Sequence, residues 1–279
     1  MICSIQRRFF RLLTTMDTSE IENLRTAAVE LQAAQQWNEA LAALRAWEQT
    51  DGDNGEVYYR MGFVQGRLGE TQASIQSLQK SIHLYPTCAD TYFMLGRRYQ
   101  TLRQVESAEM AFAAAVALDP EHWRAWCGFG SVLGLRSEHA LAIKAFDCAI
   151  RINPDDADTR YRMGYAYEQN GDFPSAIGHY KDSLWMDASN VHVAYRLVAL
   201  LWKANDYQVA ETVCRQTVER FPDEPRANLY LGWSLFKTGN LEEARRYWRI
   251  AAKSRDRGIS ASAKKYLKLK GNDVHNYSI

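Results

Sequence analysis

The sequence predicts an all-α chain built as a tandem array of helical hairpins. Two observations carry that reading: apolar residues recur at helical spacing, and whole blocks of them recur every 34 residues. Block 89–122, ADTYFMLGRRYQTLRQVESAEMAFAAAVALDPEH, shows the pattern most completely. Its positions 4, 7, 8 and 11 (Tyr92, Leu95, Gly96, Tyr99) follow the i, i+3, i+4, i+7 rule and form one face of a first helix. Positions 20, 24 and 27 (Ala108, Phe112, Ala115) form the face of a second. The two faces bury each other, so the block is a hairpin. Its flanks need neighbours, so the hairpins stack as a quasi-one-dimensional array.

Composition agrees. With 47% hydrophobic and 24% charged residues among 279, the chain is a folded protein, and length counts repeat units. The longest apolar run, Ala111–Leu118, is far too short for a membrane span. Cysteines at 3, 88, 127, 148 and 214 form no CxxC pair and read as reduced thiols, which predicts a cytoplasmic chain.

Taken in order, residues 1–20 form an N-terminal leader expected to be disordered. Its arginine-rich, acid-free start, MICSIQRRFFRLLTTM, also fits an organelle import signal or translation upstream of Met16. Repeat one, 21–54, pairs Leu24, Ala27, Ala28 and Leu31 with Ala40, Leu44 and Trp47 and ends in the turn-rich DGDNG. Repeat two, 55–88, carries Tyr58, Met61, Gly62, Leu78 and Pro86; repeat three is 89–122. Repeat four, 123–156, carries Trp126, Gly130, Phe146 and Pro154. Repeat five, 157–190, has Ala188 in place of proline, and its Asp172 and Pro174 read as the N-cap and first turn of its second helix. Repeat six, 191–224, puts Val198 in place of the glycine; repeat seven, 225–258, restores Gly232 with Trp248. Residues 259–270 read as a capping helix with Ile259, Ala263, Tyr266 and Leu267 inward, Ser260 outward and Gly271 as its stop; 271–279 read as a disordered tail.

A helical glycine costs about 1 kcal/mol relative to alanine. Its recurrence at 62, 96, 130, 164 and 232 implies close helix approach, with Ser74, Ala108, Ala142, Ala176 and Ala244 opposite at position 20. Proline at 86, 120, 154 and 222 marks where second helices stop. This order of residues resembles the tetratricopeptide repeat (TPR), W-x2-L-G-x2-Y followed by A-x3-F and P, over seven units in register from 21 to 258.

The resemblance implies a right-handed superhelical solenoid whose first helices line a concave groove, with positions 2, 5, 9, 12 and 13 facing a ligand. Carried onto this chain, those positions give Tyr59, Phe63 and Arg67; Asp90, Phe93, Arg97 and Gln100; Arg124 and Cys127. In later repeats they give Tyr161, Tyr165 and Glu168; Tyr195, Trp202 and Lys203; and Trp233, Phe236 and Lys237. At position 5, Tyr59, Phe93, Tyr161 and Tyr195 serve packing as readily as binding. Trp202, Trp233 and Phe236 are the expected principal anchors. Position 5 is never lysine and position 9 never asparagine, so the chaperone-tail clamp of some family members is not expected.

Function follows as an expectation: a non-enzymatic scaffold, adaptor or assembly factor that binds a protein partner as an extended peptide or helix. A regulatory subunit of a separate enzyme is the alternative. There is no phosphate loop, dinucleotide fingerprint, zinc-protease motif or nucleophile turn, and the six histidines show no metal-ligand grouping, so neither cofactor nor metal is expected. A formal net charge of +1 argues against nucleic acid. It conceals opposite ends: residues 17–56 hold two arginines and nine acids, residues 225–270 twelve basic and three acidic residues. Head-to-tail self-association through those ends is the accompanying expectation.

Overall fold

A computed structural model of the chain describes residues 19–271 and 273. The leader expectation for 1–18 and the tail expectation for 272 and 274–279 lie outside the described residues. Among the described residues there are fifteen helices and no strand. The chain forms two units, Met1–Ile152 and Asn153–Ile279. In unit 1 the helices are α1 (19–33), α2 (Trp37–Thr50), α3 (Gly55–Arg67), α4 (Thr71–Leu84), α5 (Ala89–Thr101), α6 (Val105–Leu118), α7 (Trp123–Leu135) and α8 (His139–Ile152). In unit 2 they are α9 (Ala157–Gln169), α10 (Phe173–Met186), α11 (Val191–Lys203), α12 (Tyr207–Arg220), α13 (Pro225–Lys237), α14 (Leu241–Ala251) and α15 (Arg257–Tyr266). Within each repeat the two helices pack on each other, and within each unit second helices pack on the next first helix.

Every hairpin turns in the same way. The residue at position 15 is left-handed in all seven: Gln35, Gly69, Arg103, Ser137, Gly171, Asn205 and Gly239, with φ between 57° and 92°. The next amide reaches back to the carbonyl at position 11, as in Gln104 N to Tyr99 O and Asp172 N to Tyr167 O at 2.9 and 3.0 Å. This 6→1 bond is the Schellman closure of a helix. Only three of the seven residues are glycine, although a left-handed conformation costs other residues about 1–2 kcal/mol. Proline is not what ends the second helices: α10, with Ala188 downstream, stops at Met186, the same register as α4 at Leu84.

The recurring glycine at position 8 does make a close approach, but its main partner differs from expectation. A Cβ on Gly96, Gly130 or Gly164 would fall 2.7–2.9 Å from the ring at position 24: Phe112, Phe146 or Tyr180. On Gly232 it would fall 2.5 Å from Trp248. The glycine therefore makes room for a large ring, and position 20 contributes chiefly backbone: Ser74 O, Ala176 O and Ala244 O lie 3.0–3.3 Å from such a Cβ. Repeat six inverts the pair. It puts Val198 where the glycine stands and the small Cys214 where the ring stands, both buried in one cluster.

The cores differ between units. Unit 2 has one cluster running from Ala176 through Leu197, Leu231, Trp233 and Trp248 to Ala263 and Leu269. Unit 1 has several smaller ones, centred on Trp47, Leu78, Phe112 and Ala125. Unit 2 also caps its second helices with side chains: Asp172, Asp206 and Asn240 accept the amides of Ser175, Val209 and Glu243. Gln36, Glu70 and Gln104, at the same position in unit 1, make no such bond. Helix α15, Arg257–Tyr266, stands in the stretch read as a capping helix, with Ala263 fully buried. Two details correct the sequence reading: Ser260 faces inward, its hydroxyl donating to Ala252 O at 2.7 Å, and α15 ends at Tyr266 with Leu267 as C-cap, well before Gly271.

Candidate functional site

In unit 1 the first-helix face opens into a cavity of about 400 Å³ between α2, α3 and α5. Six residues expected in the groove line it together: Tyr59, Phe63, Arg67, Asp90, Phe93 and Arg97. Trp37 and Arg98, which the groove positions did not include, join them. Trp37 meets Phe63 edge-on at 6.0 Å, and the Arg67 guanidinium lies 5.1 Å from the Trp37 ring. Arg97 lies 5.9 Å from Phe93. Burial, then Asp90, pushes the Tyr59 phenol up to about 12, so it stays a neutral hydrogen-bonding group.

Arg98 is the unusual member. It occupies position 10, where later and earlier repeats bury Val64, Val132, Ala166, Leu200 and Ser234, each at most 3% exposed. Gly66 supplies the space, since a Cβ there would lie 2.6 Å from Arg98 Nη1. The guanidinium donates to Gly66 O at 3.2 Å, while its buried Nε has no hydrogen-bond partner. Burial, then the neighbouring Arg97 and Arg67, lowers its proton affinity. Asp90, the carboxylate on this cavity, is engaged by His122: His122 Nδ1 accepts from Ala125 N, which leaves Nε2 to donate to Asp90 at 3.1 Å. Arg124 is not brought to the cavity; its guanidinium stacks 4.6 Å over Trp123.

Unit 2 uses the equivalent face differently, and here the anchor expectation is corrected. Trp233 and Phe236 are 2% and 0% exposed. Trp233 packs on Tyr266 of α15 at 4.9 Å, and Phe236 on Trp248 at 5.9 Å, so both are core. Trp202 is half-buried against Tyr230 and donates its indole NH to Ser234 Oγ at 3.0 Å. The Tyr195 hydroxyl donates to Glu224 at 3.0 Å, and Tyr161 packs on Tyr180 at 5.9 Å. Glu168 is held by the Tyr180 hydroxyl at 2.6 Å and Arg196 at 3.1 Å. Tyr165 stays exposed beneath Arg196, Lys203 lies over Phe173, and Lys237 lies between Tyr207 and Trp233. A concavity of about 620 Å³ in unit 2, around Trp185, Val213 and Arg220, is lined mostly by the second helices α10 and α12 and includes none of the expected residues.

No grouping of metal-ligating side chains occurs among the described residues, and no described helix is long and apolar enough to cross a membrane. Cys214 is 3% exposed, and burial raises its thiol to about 12, which makes it a packing residue.

A family model for the tetratricopeptide repeat matches residues 93–157, 136–191 and 195–258, and a second matches 56–87. The chain belongs to the tetratricopeptide repeat family. Anaphase-promoting complex subunit 3 of Schizosaccharomyces pombe is 24% identical over 168 residues, 60% of this chain and 25% of that protein. The chain thus spans a quarter of that relative's length. Among solved structures, the C-terminal part of a TPR repeat-containing protein from Cytophaga hutchinsonii covers 88% of this chain and all of its own, at 17% identity and a TM-score of 0.70. YrrB, described as a TPR protein with an unusual peptide-binding site, covers 61% of this chain and 87% of its own, at 20% identity and a TM-score of 0.54. These likenesses establish the fold as an all-α TPR solenoid.

Proposed function

We propose that this chain is a non-enzymatic adaptor that holds a peptide or helix of a partner protein on the first-helix face of unit 1. The observation that carries the reading is the cavity between α2, α3 and α5, where half-buried aromatic rings stand beside guanidiniums that no carboxylate pairs among the described residues. Aromatic and arginine side chains in a concave, partly desolvated setting are what binding hot spots are made of. TPR proteins generally mediate protein–protein interactions and complex assembly, and the S. pombe relative is itself a complex subunit.

The test is the double substitution Phe63→Ala with Phe93→Ala, checked for folding by circular dichroism and then compared with wild type in crosslinked affinity capture. Loss of the captured partners with helicity retained is expected. An unchanged partner set overturns the assignment to unit 1.

A further inference from the structure

A half-buried guanidinium, placed where neighbouring repeats bury valine, leucine or alanine, carries a cost, because a charge partly taken from water needs a partner of opposite sign to offset its desolvation. Arg98 has none among the described residues; it has one carbonyl, Gly66 O at 3.2 Å, and a buried Nε left without a partner. Arg67 and Arg97 stand on the same cavity, each against a ring instead of a carboxylate. Three guanidiniums thus face one aspartate, and that aspartate is already held by His122. Gly66 makes the arrangement an accommodated one, since any side chain at 66 would strike the Arg98 guanidinium.

We propose that this cavity recognises a carboxylate: an aspartate or glutamate side chain of the bound peptide, flanked by apolar residues. This rests on the groove reading above and names its ligand chemistry. The acid sits against Arg98 with Arg97 and Arg67 at its sides, while its apolar neighbours lie on Trp37, Phe63 and Phe93. A planar guanidinium offers a carboxylate two parallel N–H donors, and a hydrogen bond between charged groups in a partly dry site is about twice as strong as a neutral one. The size fits as well, since about 400 Å³ takes a short side-chain cluster and not a folded surface.

The experiment uses the full chain and fluorescein-labelled nonapeptides, amidated at the C-terminus, in which Phe and Leu flank a central Glu, Gln or phosphoserine; binding is read by anisotropy. The Glu peptide is expected to bind at least tenfold more tightly than the Gln peptide. Arg98→Met, which keeps the stem and removes the charge, is expected to abolish that preference without lowering helicity. Should Arg98→Met fail to fold, Arg67→Met with Arg97→Met is read in its place and is expected to reduce the preference at least threefold. Equal affinity for Glu and Gln, binding of the phosphoserine peptide alone, or a Glu preference that survives the arginine substitutions overturns the proposal. If Glu and Gln peptides bind equally and Phe63→Ala with Phe93→Ala removes both, the carboxylate inference falls while the groove stands. If no peptide binds, both fall.

Discussion

At the first-helix face of unit 1, Phe63 and Phe93 are half-buried and Arg97 is exposed, all on one open cavity. At the corresponding face of repeat seven in unit 2, Trp233 and Phe236 are sealed under α15 and α14. The polar groups on the two faces are also arranged differently. On the first-helix face of unit 2, Glu168 is held by Tyr180 and Arg196, Tyr195 by Glu224 and Trp202 by Ser234, whereas the unit 1 cavity carries Arg98 Nε without a partner; elsewhere in unit 2 the buried Arg160 Nε and Trp233 Nε1 lack one as well. Unit 2 also has one long core cluster, from Ala176 to Leu269, and side-chain caps on its second helices. One repeat plan therefore yields a sealed face at repeat seven and an open cavity between α2, α3 and α5, and a guanidinium left unpaired in an open cavity is one that a ligand can satisfy.

The contrast is broken most forcefully at Trp233. Its replacement by alanine should cost about 3–5 kcal/mol, as for other fully buried large rings, while half-buried Phe63→Ala should cost about 1 kcal/mol. Urea denaturation followed by circular dichroism measures both; a loss at Trp233 no greater than at Phe63 would mean the ring is not core. Next in size is the inverted pair of repeat six. Cys214→Phe alone should overpack unit 2 by about 1–3 kcal/mol, and adding Val198→Gly should recover most of it. Simple additivity in that double-mutant cycle would refute the exchange of volume between positions 8 and 24.

Smaller effects are expected at the turns. Arg103→Gly and Ser137→Gly relieve left-handed strain in unit 1 and should each raise stability by about 0.5–1 kcal/mol, the strain exceeding the added unfolded-state entropy. A fall in melting temperature for both would contradict the conformation of the turn. Acidification should produce the smallest effect. Hydrogen bonds from Arg215 lower the Glu243 carboxyl, and those from Ser175 lower Asp172. Depressed acids stabilise the fold above their unfolded values, and that contribution is lost as pH falls through their folded values. Melts at pH 7 and pH 3 should therefore show a smaller acid loss for Arg215→Met than for wild type.

Much of this fold is legible in the sequence because a 34-residue period fixes helix faces without tertiary knowledge. The second-helix N-cap at Asp172, the core role of Cys214 and the capping helix follow from local pattern alone. What the repeat pattern cannot encode is contact with something outside it. Trp233 looks like a groove residue by position, and only the packing of Tyr266 onto it shows otherwise. The turn conformation at Gln35, Arg103, Ser137 and Asn205 is hidden because glycine marks it in only three of seven repeats. Arg98 was readable in principle: comparing position 10 across repeats two to seven places one charge among valine, alanine, leucine and serine. Trp37 was not, since it starts a second helix and reaches the cavity from the side.

Hydrogen exchange with mass spectrometry, with and without a saturating amount of the Glu-centred nonapeptide, bears most directly on the division of labour between the units. Protection confined to peptides covering α3 and α5, with 191–203 and 225–237 unchanged, is the expected result; protection at 191–237 with none at 55–101 would contradict it.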